Sequence, residues 1–421
     1  MLIKNGHVID PKNNVDEVLD IRIKDGKVVE IAKDLREDGE EVIDAKGLVV
    51  SPGLVDVHVH FRDPGFTHKE DIYSGANAAA RGGFTTVVCM GNTNPTMDNE
   101  DTLRDFLERS KKCPINVKTI ATVSKKLSGK EFTDFEKLIE LGAVGLSDDG
   151  VVIKDGKFLK DALDRAYKLN VPISLHEEDS DMLGSHGVNE GEVAKAFNVK
   201  GASKVSEYSQ IAKDLAIGLS TKGHIHIQHI SCKESVEIIK LFKELGVHAT
   251  CEVTPNHFSL NEEDVLKIGT LARINPPIRT EEDRLALIEG LKDGTIDMIA
   301  TDHAPHTMKE KEREFERAPS GILGLETSLS LSITKLVKPG HLTLQQLIEK
   351  MSLNPAKLFN FPVGEIKKYL PADITIFNPD EEIIYDEFVS KSKNSPYRGM
   401  KLQGVVKYTI CGGNVVYRGI E

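Results

Sequence analysis

From Leu54 to His306 the chain alternates apolar runs of strand length with segments of helical periodicity. The helical segments repeat apolar residues every three or four positions, and several end in Gly or Asn. Strands that alternate with helices favour a parallel sheet with crossover connections. The eight predicted strands are residues 54–60, 85–93, 116–124, 143–150, 171–179, 224–231, 247–257 and 296–306. Eight such units predict an α/β fold of the (β/α)8 TIM-barrel type.

The two ends of the chain have a different pattern. Residues 1–50 contain short alternating segments separated by Asn-Gly, Asp-Gly and Lys-Gly turns, which predicts a small antiparallel sheet. Short strands return after residue 363, in 372–379 and 405–421. Because chain termini often lie close together, we expect both ends to form one discontinuous β-sandwich-like domain, 1–50 and 363–421, beside a barrel domain of residues 51–362.

Composition excludes several classes of function. The 421 residues carry a formal net charge of −12, from 66 acidic and 54 basic residues, which disfavours nucleic acid or an anionic membrane as a partner. The five cysteines are widely separated and form no Cys-x-x-Cys pair, unlike a disulfide framework or a structural zinc site. No apolar stretch approaches the roughly 20 residues that cross a bilayer. We therefore expect a metabolic protein of the cytoplasm.

Groups that can bind a metal follow five of the predicted strands. His58 and His60 stand two residues apart, so in a strand both point to the same face. Barrel enzymes build their sites at the carboxyl ends of the strands, where the other groups also fall. Those groups are Asp148 and Asp149, His176, His229 and Asp302. Imidazole and carboxylate without thiolate predict a catalytic zinc or a similar ion.

Each of these residues alone has an ordinary explanation. Asp149 could form the turn before Gly150, and His226 or His229 could be a hydrogen-bonded core histidine. Asp148 and Asp149 suit a metal equally well, because strand parity is unreliable beside a turn. The coincidence at five strand ends is what favours a metal site.

Six strings extend the pattern into a family resemblance. They are HVHFRDPG at 58–65, CMGNTNP at 89–95, SDDG at 147–150, ARINPP at 272–277, ATDHAPH at 300–306 and SGILGLE at 320–326. Together they resemble the dihydroorotases of the long bacterial type, in the amidohydrolase superfamily, over essentially the whole chain. That resemblance implies reversible cyclisation of N-carbamoyl-L-aspartate to L-dihydroorotate in pyrimidine biosynthesis.

The resemblance also implies a metal arrangement. His58, His60 and Asp302 would bind one zinc ion, and His176 and His229 a second. Asp149 and a hydroxide would bridge the two ions. Because the end of the fourth strand has no lysine, we predict no carboxylated lysine bridge. Asp302 would also serve as the general acid and base.

Substrate contacts follow from the same resemblance. Arg62 can present a forked donor to the substrate carboxylate, and an ion pair with Asp63 is its ordinary alternative. The other contacts implied are His60, Asn92, Asn275, His306 and the backbone at Ser320 and Gly321.

Two other functions compete with this interpretation. One is a different cyclic amidohydrolase, such as an allantoinase or hydantoinase, which Arg62 and the lysine-free bridge position disfavour. The other is a catalytically silent scaffold for aspartate carbamoyltransferase, which retention of all six expected ligands disfavours. The expected partners are the small-molecule substrate, a second copy in a homodimer, and aspartate carbamoyltransferase. The charged segment 307–317 fits either a mobile lid or a solvated helix.

Overall fold

The computed structural model describes residues 1–419, which form parallel sheets and one mixed sheet. The strands are β1 (Leu2–Asp10), β2 (Val15–Lys24), β3 (Lys27–Ala32), β4 (Val42–Asp44), β5 (Val49–Pro52), β6 (Leu54–Val59), β7 (Phe84–Cys89), β8 (Asn116–Thr119), β9 (Leu146–Ser147), β10 (Ile173–Leu175), β11 (Ile225–Ile227), β12 (Ala249–Val253), β13 (Met298–Ile299), β14 (Ile374–Ile384), β15 (Lys401–Cys411) and β16 (Asn414–Arg418).

Strands β6 to β13 are the eight predicted from the alternation. They form a three-stranded parallel sheet, β6-β7-β8, and a five-stranded parallel sheet, β13-β12-β11-β10-β9. Isolated parallel bridges join Ala121 to Leu146 and Val59 to His303, at the edges of these two sheets. The observed strands are shorter than predicted, because the hydrogen-bonded pairing between strands ends where the chain enters the adjoining loops. For example, only Met298–Ile299 of the predicted strand 296–306 is paired as β13.

Helices connect these strands as the periodicity predicts. They are α1 (Ile72–Arg81), α2 (Glu100–Ser110), α3 (Phe135–Leu141), α4 (Gly156–Lys168), α5 (Glu192–Ala196), α6 (Val205–Gly218), α7 (Lys233–Glu244), α8 (Pro255–Ser259), α9 (Glu262–Ile268), α10 (Glu281–Asp293), α11 (Met308–Lys311), α12 (Ser328–Ser332), α13 (Leu344–Ile348) and α14 (Asn354–Leu358). Local sequence explains their ends. For α10, Thr280 and Asp283 form a capping box, and Gly294 ends the helix in the left-handed region. None of the helices within residues 1–419 has the length and apolar character needed to span a bilayer.

The mixed sheet combines strands from both ends of the chain. Its order is β16-β15-β14-β5-β1-β2-β3, with β4 beside β1. The predicted antiparallel pairing holds for β1, β2 and β3, but β1 pairs parallel with both β4 and β5, so the sheet is mixed. After β3 the chain crosses back and runs beside β1 in the same direction. Residues 420 and 421, at the end of the last predicted strand segment, lie outside the described residues.

One apolar core connects the mixed sheet to the parallel sheets. Phe377 of β14 and Val406 of β15 belong to the same buried cluster as Leu54 of β6 and Phe84 of β7. The Phe377 side chain is fully buried. The strands from the chain ends therefore support the strands whose carboxyl ends carry the polar residues.

This shared core gives a stability prediction. Phe377→Ala leaves a cavity between the two layers, so we expect the free energy of unfolding to fall by about 3–5 kcal/mol. Urea unfolding followed by circular dichroism measures the change. Tyr167→Ala is the matched control, because Tyr167 is 51% exposed and its loss should cost under about 0.5 kcal/mol. Equal destabilisation by both changes would contradict a shared core.

Candidate metal centre and substrate cleft

The six predicted metal ligands converge at the carboxyl ends of the parallel strands. His58 lies in β6 and His60 directly after it; Asp149 follows β9, His176 follows β10, His229 follows β11 and Asp302 follows β13. The Nε2 atom of His58 is 3.5 Å from an oxygen of Asp149 and 3.5 Å from an oxygen of Asp302. Residues distant in sequence therefore form one cluster.

The orientation of His58 is set by a buried carboxylate. Its Nδ1–H donates to Glu252 Oε1 at 2.6 Å, and neither side chain is exposed. In a neutral imidazole the second nitrogen then carries a lone pair. That nitrogen, Nε2, is buried without a hydrogen-bond partner and faces the two aspartates. Although burial opposes a charge, Glu252 and Asp149 hold the pKa of His58 well above its usual range, so Nε2 takes a cation here: a proton, or a metal ion that replaces it.

His60 shows the same arrangement. Its Nδ1–H donates to Asn92 Oδ1 at 3.1 Å, while its Nε2 faces Asp302 Oδ1 at 3.0 Å. Asn92 in turn donates to Asp149 Oδ2 at 2.9 Å. An imidazole lone pair and a carboxylate oxygen at this distance repel each other unless a proton or a cation lies between them.

His176 and His229 form a second pair of facing nitrogens. His176 Nε2 lies 3.2 Å from Glu178 Oε2, and its Nδ1 lies 3.0 Å from Nε2 of His229. The outer nitrogen of His176 thus faces a carboxylate, and its inner nitrogen faces His229 and the cluster. His176 Nδ1 is also 3.9 Å from Asp149 Oδ1. Asp149 therefore lies between the two histidine groups.

The structure separates the two adjacent aspartates. Asp148 accepts hydrogen bonds from the backbone N–H of Ser124, at 3.0 Å, and from the Ser124 hydroxyl. Burial raises the pKa of Asp148 to about 6. Although burial alone would also raise the pKa of Asp149, the neighbouring histidines, His58 foremost, hold it well below its usual range. Asp149 is thus the ionised carboxylate that faces the cluster.

These residues fit a metal by both geometry and chemistry. Two groups each place their donor atoms within 4.8 Å of one another: His58, Asp149 and His229, and His58, His60 and Asp302. Imidazoles and carboxylates without a thiolate match catalytic zinc and similar divalent ions. Inward lone pairs with outer acceptors on three of the histidines are the arrangement found around protein metal sites.

A cleft of about 150 Å³ opens beside this cluster. Its lining includes the predicted substrate contacts His60, Arg62, Asn92, Asn275, Ser320 and Gly321. Among the described residues, no lysine lines this cleft. The Arg62 guanidinium donates to Pro305 O at 3.2 Å. Asp63 pairs instead with Arg109, at 2.7 Å, so the ordinary explanation for Arg62 does not hold. Within residues 1–419 no carboxylate forms a direct ion pair with Arg62, so its guanidinium is available to a substrate carboxylate in the cleft.

His306 lies behind Arg62. Its Nδ1 accepts from Lys69 Nζ at 3.2 Å, and its Nε2 donates to Ser320 O at 3.0 Å. Burial, together with the positive charges of Arg62 and Lys69, lowers the pKa of His306 to about 2. The ring is therefore neutral, and its Nε2 lies 3.2 Å from the Arg62 guanidinium.

Asn275, Ser320 and Gly321 form a wall of the cleft that contacts His306. The Ser320 hydroxyl donates to Asn275 Oδ1 at 3.0 Å. The Gly321 N–H, one of the predicted backbone contacts, already donates to Arg273 O at 2.8 Å. A Cβ at residue 321 would lie 2.9 Å from the His306 ring, so only glycine fits.

Three site residues have backbone conformations that L-residues rarely adopt. Arg62, His229 and Asp302 have φ angles of 57°, 28° and 47°. Such conformations cost about 1–3 kcal/mol each and persist where the surrounding structure imposes them. Here they direct a cation, an imidazole and a carboxylate into the same cleft.

The segment 307–317 is anchored in this structure. It contains the short helix α11, Lys311 is fully buried, and Phe315 stacks on Phe197 with ring centroids 4.0 Å apart. Glu310 pairs with Lys69 at 3.0 Å. Its opening as a lid stays a prediction.

Several residues that hold the site were not found from the sequence. Glu252 and Glu178 orient the histidines, as described above. The signal for Glu252 was a carboxylate inside an apolar strand, which is costly to bury unless it is paired. His303, in contrast, accepts from the Gly324 N–H at 3.2 Å and is structural.

The contrast between the adjacent aspartates gives a test. Asp149→Asn removes a charge from the cluster, so we expect metal affinity to fall by more than about 100-fold, which exceeds the usual effect of losing an outer partner. Asp148→Asn is the matched control and should retain the metal, because that side chain is bonded to Ser124. Chelator competition followed by elemental analysis measures both. Equal metal loss in the two variants would overturn the assignment of Asp149.

Comparison with known proteins identifies the family of this chain. Residues 49–416 match the amidohydrolase family model. The chain is 54% identical to the dihydroorotase of Clostridioides difficile (strain 630) over 418 residues, covering 99% of both chains. It is 53% identical to that of Streptococcus pneumoniae serotype 4, covering 99% of this chain and 100% of the relative. Its fold is similar to the L-hydantoinase of Arthrobacter aurescens, with a TM-score of 0.89, 27% identity and coverage of 100% and 96%. The chain therefore belongs to the amidohydrolase family and, within it, to the dihydroorotases.

Proposed function

We propose that this protein is a metal-dependent dihydroorotase that interconverts N-carbamoyl-L-aspartate and L-dihydroorotate in pyrimidine biosynthesis. The observation that carries the proposal is the pairing of two features in one cleft. Ring nitrogens of His58, His60 and His176 converge on Asp149 and Asp302, and Arg62 lines the same cleft. The first feature suits hydrolysis of an amide, and the second suits a substrate with a carboxylate.

The proposed cofactor is a pair of zinc ions. His58, His60 and Asp302 would hold one ion, His176 and His229 the other, and Asp149 would bridge them. When bound, such a pair lowers the pKa of water and polarises a carbonyl group. The chain's own residues must then orient the substrate and move the proton.

Asp302 is the proposed general acid and base. Burial disfavours its ionised form, but the imidazoles of His60 and His58 beside its oxygens lower the pKa of Asp302 below its usual value. It is therefore ionised at neutral pH and can accept the proton of the attacking water. In ring opening, Asp302 would pass that proton to the leaving ring nitrogen. Ring closure is the reverse of these transfers.

Arg62 is the proposed determinant of substrate choice. A guanidinium can form two parallel hydrogen bonds to a carboxylate. Dihydroorotate carries this carboxylate and hydantoin does not, although both contain a cyclic amide. Asn92, Asn275, His306 and the backbone at Ser320 and Gly321 are the other proposed contacts.

Substrate selectivity tests this function directly. After metal analysis, the purified chain should turn over dihydroorotate with kcat/KM at least about 100-fold above its value for hydantoin or allantoin. Arg62→Met should lower kcat/KM for dihydroorotate by about 100-fold or more and leave the weak hydantoin rate nearly unchanged. Metal removal with a chelator should abolish turnover, and zinc should restore it.

Two outcomes would reject the proposal. Turnover of hydantoin without dihydroorotate would indicate a hydantoinase, the activity named for the solved structure at 27% identity. No turnover of any substrate by the zinc-loaded chain would favour a silent scaffold for aspartate carbamoyltransferase.

The role of Asp302 gives a separate prediction. Asp302→Asn keeps the size of the side chain and an oxygen that can bind metal, but the amide cannot shuttle a proton. We expect kcat to fall by about 10³-fold or more, within the range of general acid and base catalysis, with metal still bound. Steady-state kinetics and elemental analysis check both expectations. A variant that retains a tenth of the activity would exclude this role.

We also propose a closed arrangement of the parallel strands. The two isolated bridges between the parallel sheets, Ala121 to Leu146 and Val59 to His303, support a (β/α)8 barrel. The shared mixed sheet supports a division into a β domain of residues 1–50 and 363–421 and a barrel domain of residues 51–362. A cytoplasmic location, a homodimer and a complex with aspartate carbamoyltransferase stay predictions.

A further inference from the structure

Asn394 reaches the substrate cleft from outside the predicted barrel segment. It lies between β14 and β15, and its side chain is fully buried. Its Oδ1 accepts the backbone N–H of His306 at 3.0 Å. Its Nδ2 donates to Ala304 O at 3.1 Å and to Gly321 O at 3.0 Å. One amide thus bonds the loop after β13 to the Ser320–Gly321 wall of the cleft.

Lys311 also forms hydrogen bonds to this wall. It is fully buried, and its ammonium donates to Gly321 O at 3.1 Å, to Pro319 O at 2.9 Å and to Arg273 O at 3.3 Å. All three acceptors are backbone carbonyls. The Gly321 carbonyl therefore accepts from both Lys311 and Asn394.

The backbone around Gly321, whose carbonyl accepts both hydrogen bonds, is tightly packed. Gly321 has a φ of 146°, and a Cβ at this position would lie 2.6 Å from Ala304 O and 2.9 Å from Cδ2 of His306. His306 in turn donates to Ser320 O at 3.0 Å. A shift of Gly321 would therefore move both His306 and the Ser320 wall.

We propose that Asn394 and Lys311 are positioning residues that set the distance between His306 and the Ser320–Gly321 wall. This distance determines how tightly the part of the substrate that does not react is bound. This inference rests on the proposed function, since it concerns the same cleft. Neither residue bonds to a proposed metal ligand. Their action is on substrate binding and leaves the proton transfer at Asp302 in place.

A role in binding predicts a specific kinetic signature. Interactions made equally in the ground and transition states change KM and leave kcat unaltered. Asn394→Ala removes all three side-chain bonds, and Asn394→Asp keeps the acceptor for His306 while losing both donors. We expect KM for dihydroorotate to rise about 10-fold or more in each, with kcat within about threefold of the unaltered chain.

The control is an asparagine in an equivalent bond far from the cleft. Asn354 donates to Asp297 O at 2.9 Å, beside the beginning of β13, the strand whose other end carries Asp302. Asn354→Ala should lower the melting temperature and leave KM unchanged. Metal content and melting temperature are measured for every variant, so that loss of metal or of folding is separated from loss of binding.

A double-mutant cycle tests whether the two residues act together. Lys311→Met and Asn394→Ala remove donors to one carbonyl, so their effects on log KM should be non-additive by a factor of about three or more. Asn394→Ala combined with Asn354→Ala should be additive. The Asn394 variants alone keep the test decisive if Lys311→Met does not fold.

The outcomes separate this inference from the proposed function. If the unaltered zinc-loaded chain does not turn over dihydroorotate, the proposed function fails. If it does, and Asn394→Ala and Asn394→Asp retain KM within twofold, the positioning role is rejected. A fall in kcat with unchanged KM, or loss of bound metal, would also reject it.

Discussion

The hydrogen bond between Glu252 and His58 is the contact on which the rest of the site depends. Both side chains are fully buried, and the carboxylate also accepts from His226 Nε2 at 3.1 Å and from the His229 N–H at 3.2 Å. These donors satisfy a charge that would otherwise be costly to bury. Because Glu252 holds Nδ1 of His58, the other ring nitrogen, Nε2, must face Asp149 and Asp302. One carboxylate thereby fixes the side chain of one ligand and the backbone of another.

The resulting cluster is unfavourable by itself. Without a proton or a metal ion between them, two carboxylates and several imidazole nitrogens repel one another at 3.0 to 3.9 Å, and three residues around them have strained backbone angles. Packing in the core beneath must therefore impose this arrangement on the strand ends. A cation at the centre would convert the repulsion into attraction, which explains why the same scaffold can tolerate the cluster.

Much of this organisation follows from sequence periodicity. The apolar runs predict the eight parallel strands, and the carboxyl ends of those strands bring His58, His176 and His229 into one region. Other features depend on contacts that periodicity does not encode. Glu252 meets His58 across 194 residues, and Asn394 meets His306 across 88. The choice between Asp148 and Asp149 depends on Ser124, whose own position is set by the neighbouring strand. The parallel pairing of β1 with β4 and β5 depends on where the chain crosses back, which short alternating segments do not reveal.

The proposed metal ligands and the proposed substrate-binding residues are held by different parts of this fold. The metal ligands stand at the ends of strands whose core is continuous, whereas Arg62, His306 and Gly321 lie in loops tied together by side chains such as Asn394. A change in those loops can alter which cyclic amide is held without moving the ligands. This separation gives a physical reason why a hydantoinase with 27% identity shares the fold at a TM-score of 0.89, while relatives at 54% identity are dihydroorotases. In such a scaffold the loops determine which substrate is bound, and the residues at the strand ends determine the capacity for hydrolysis.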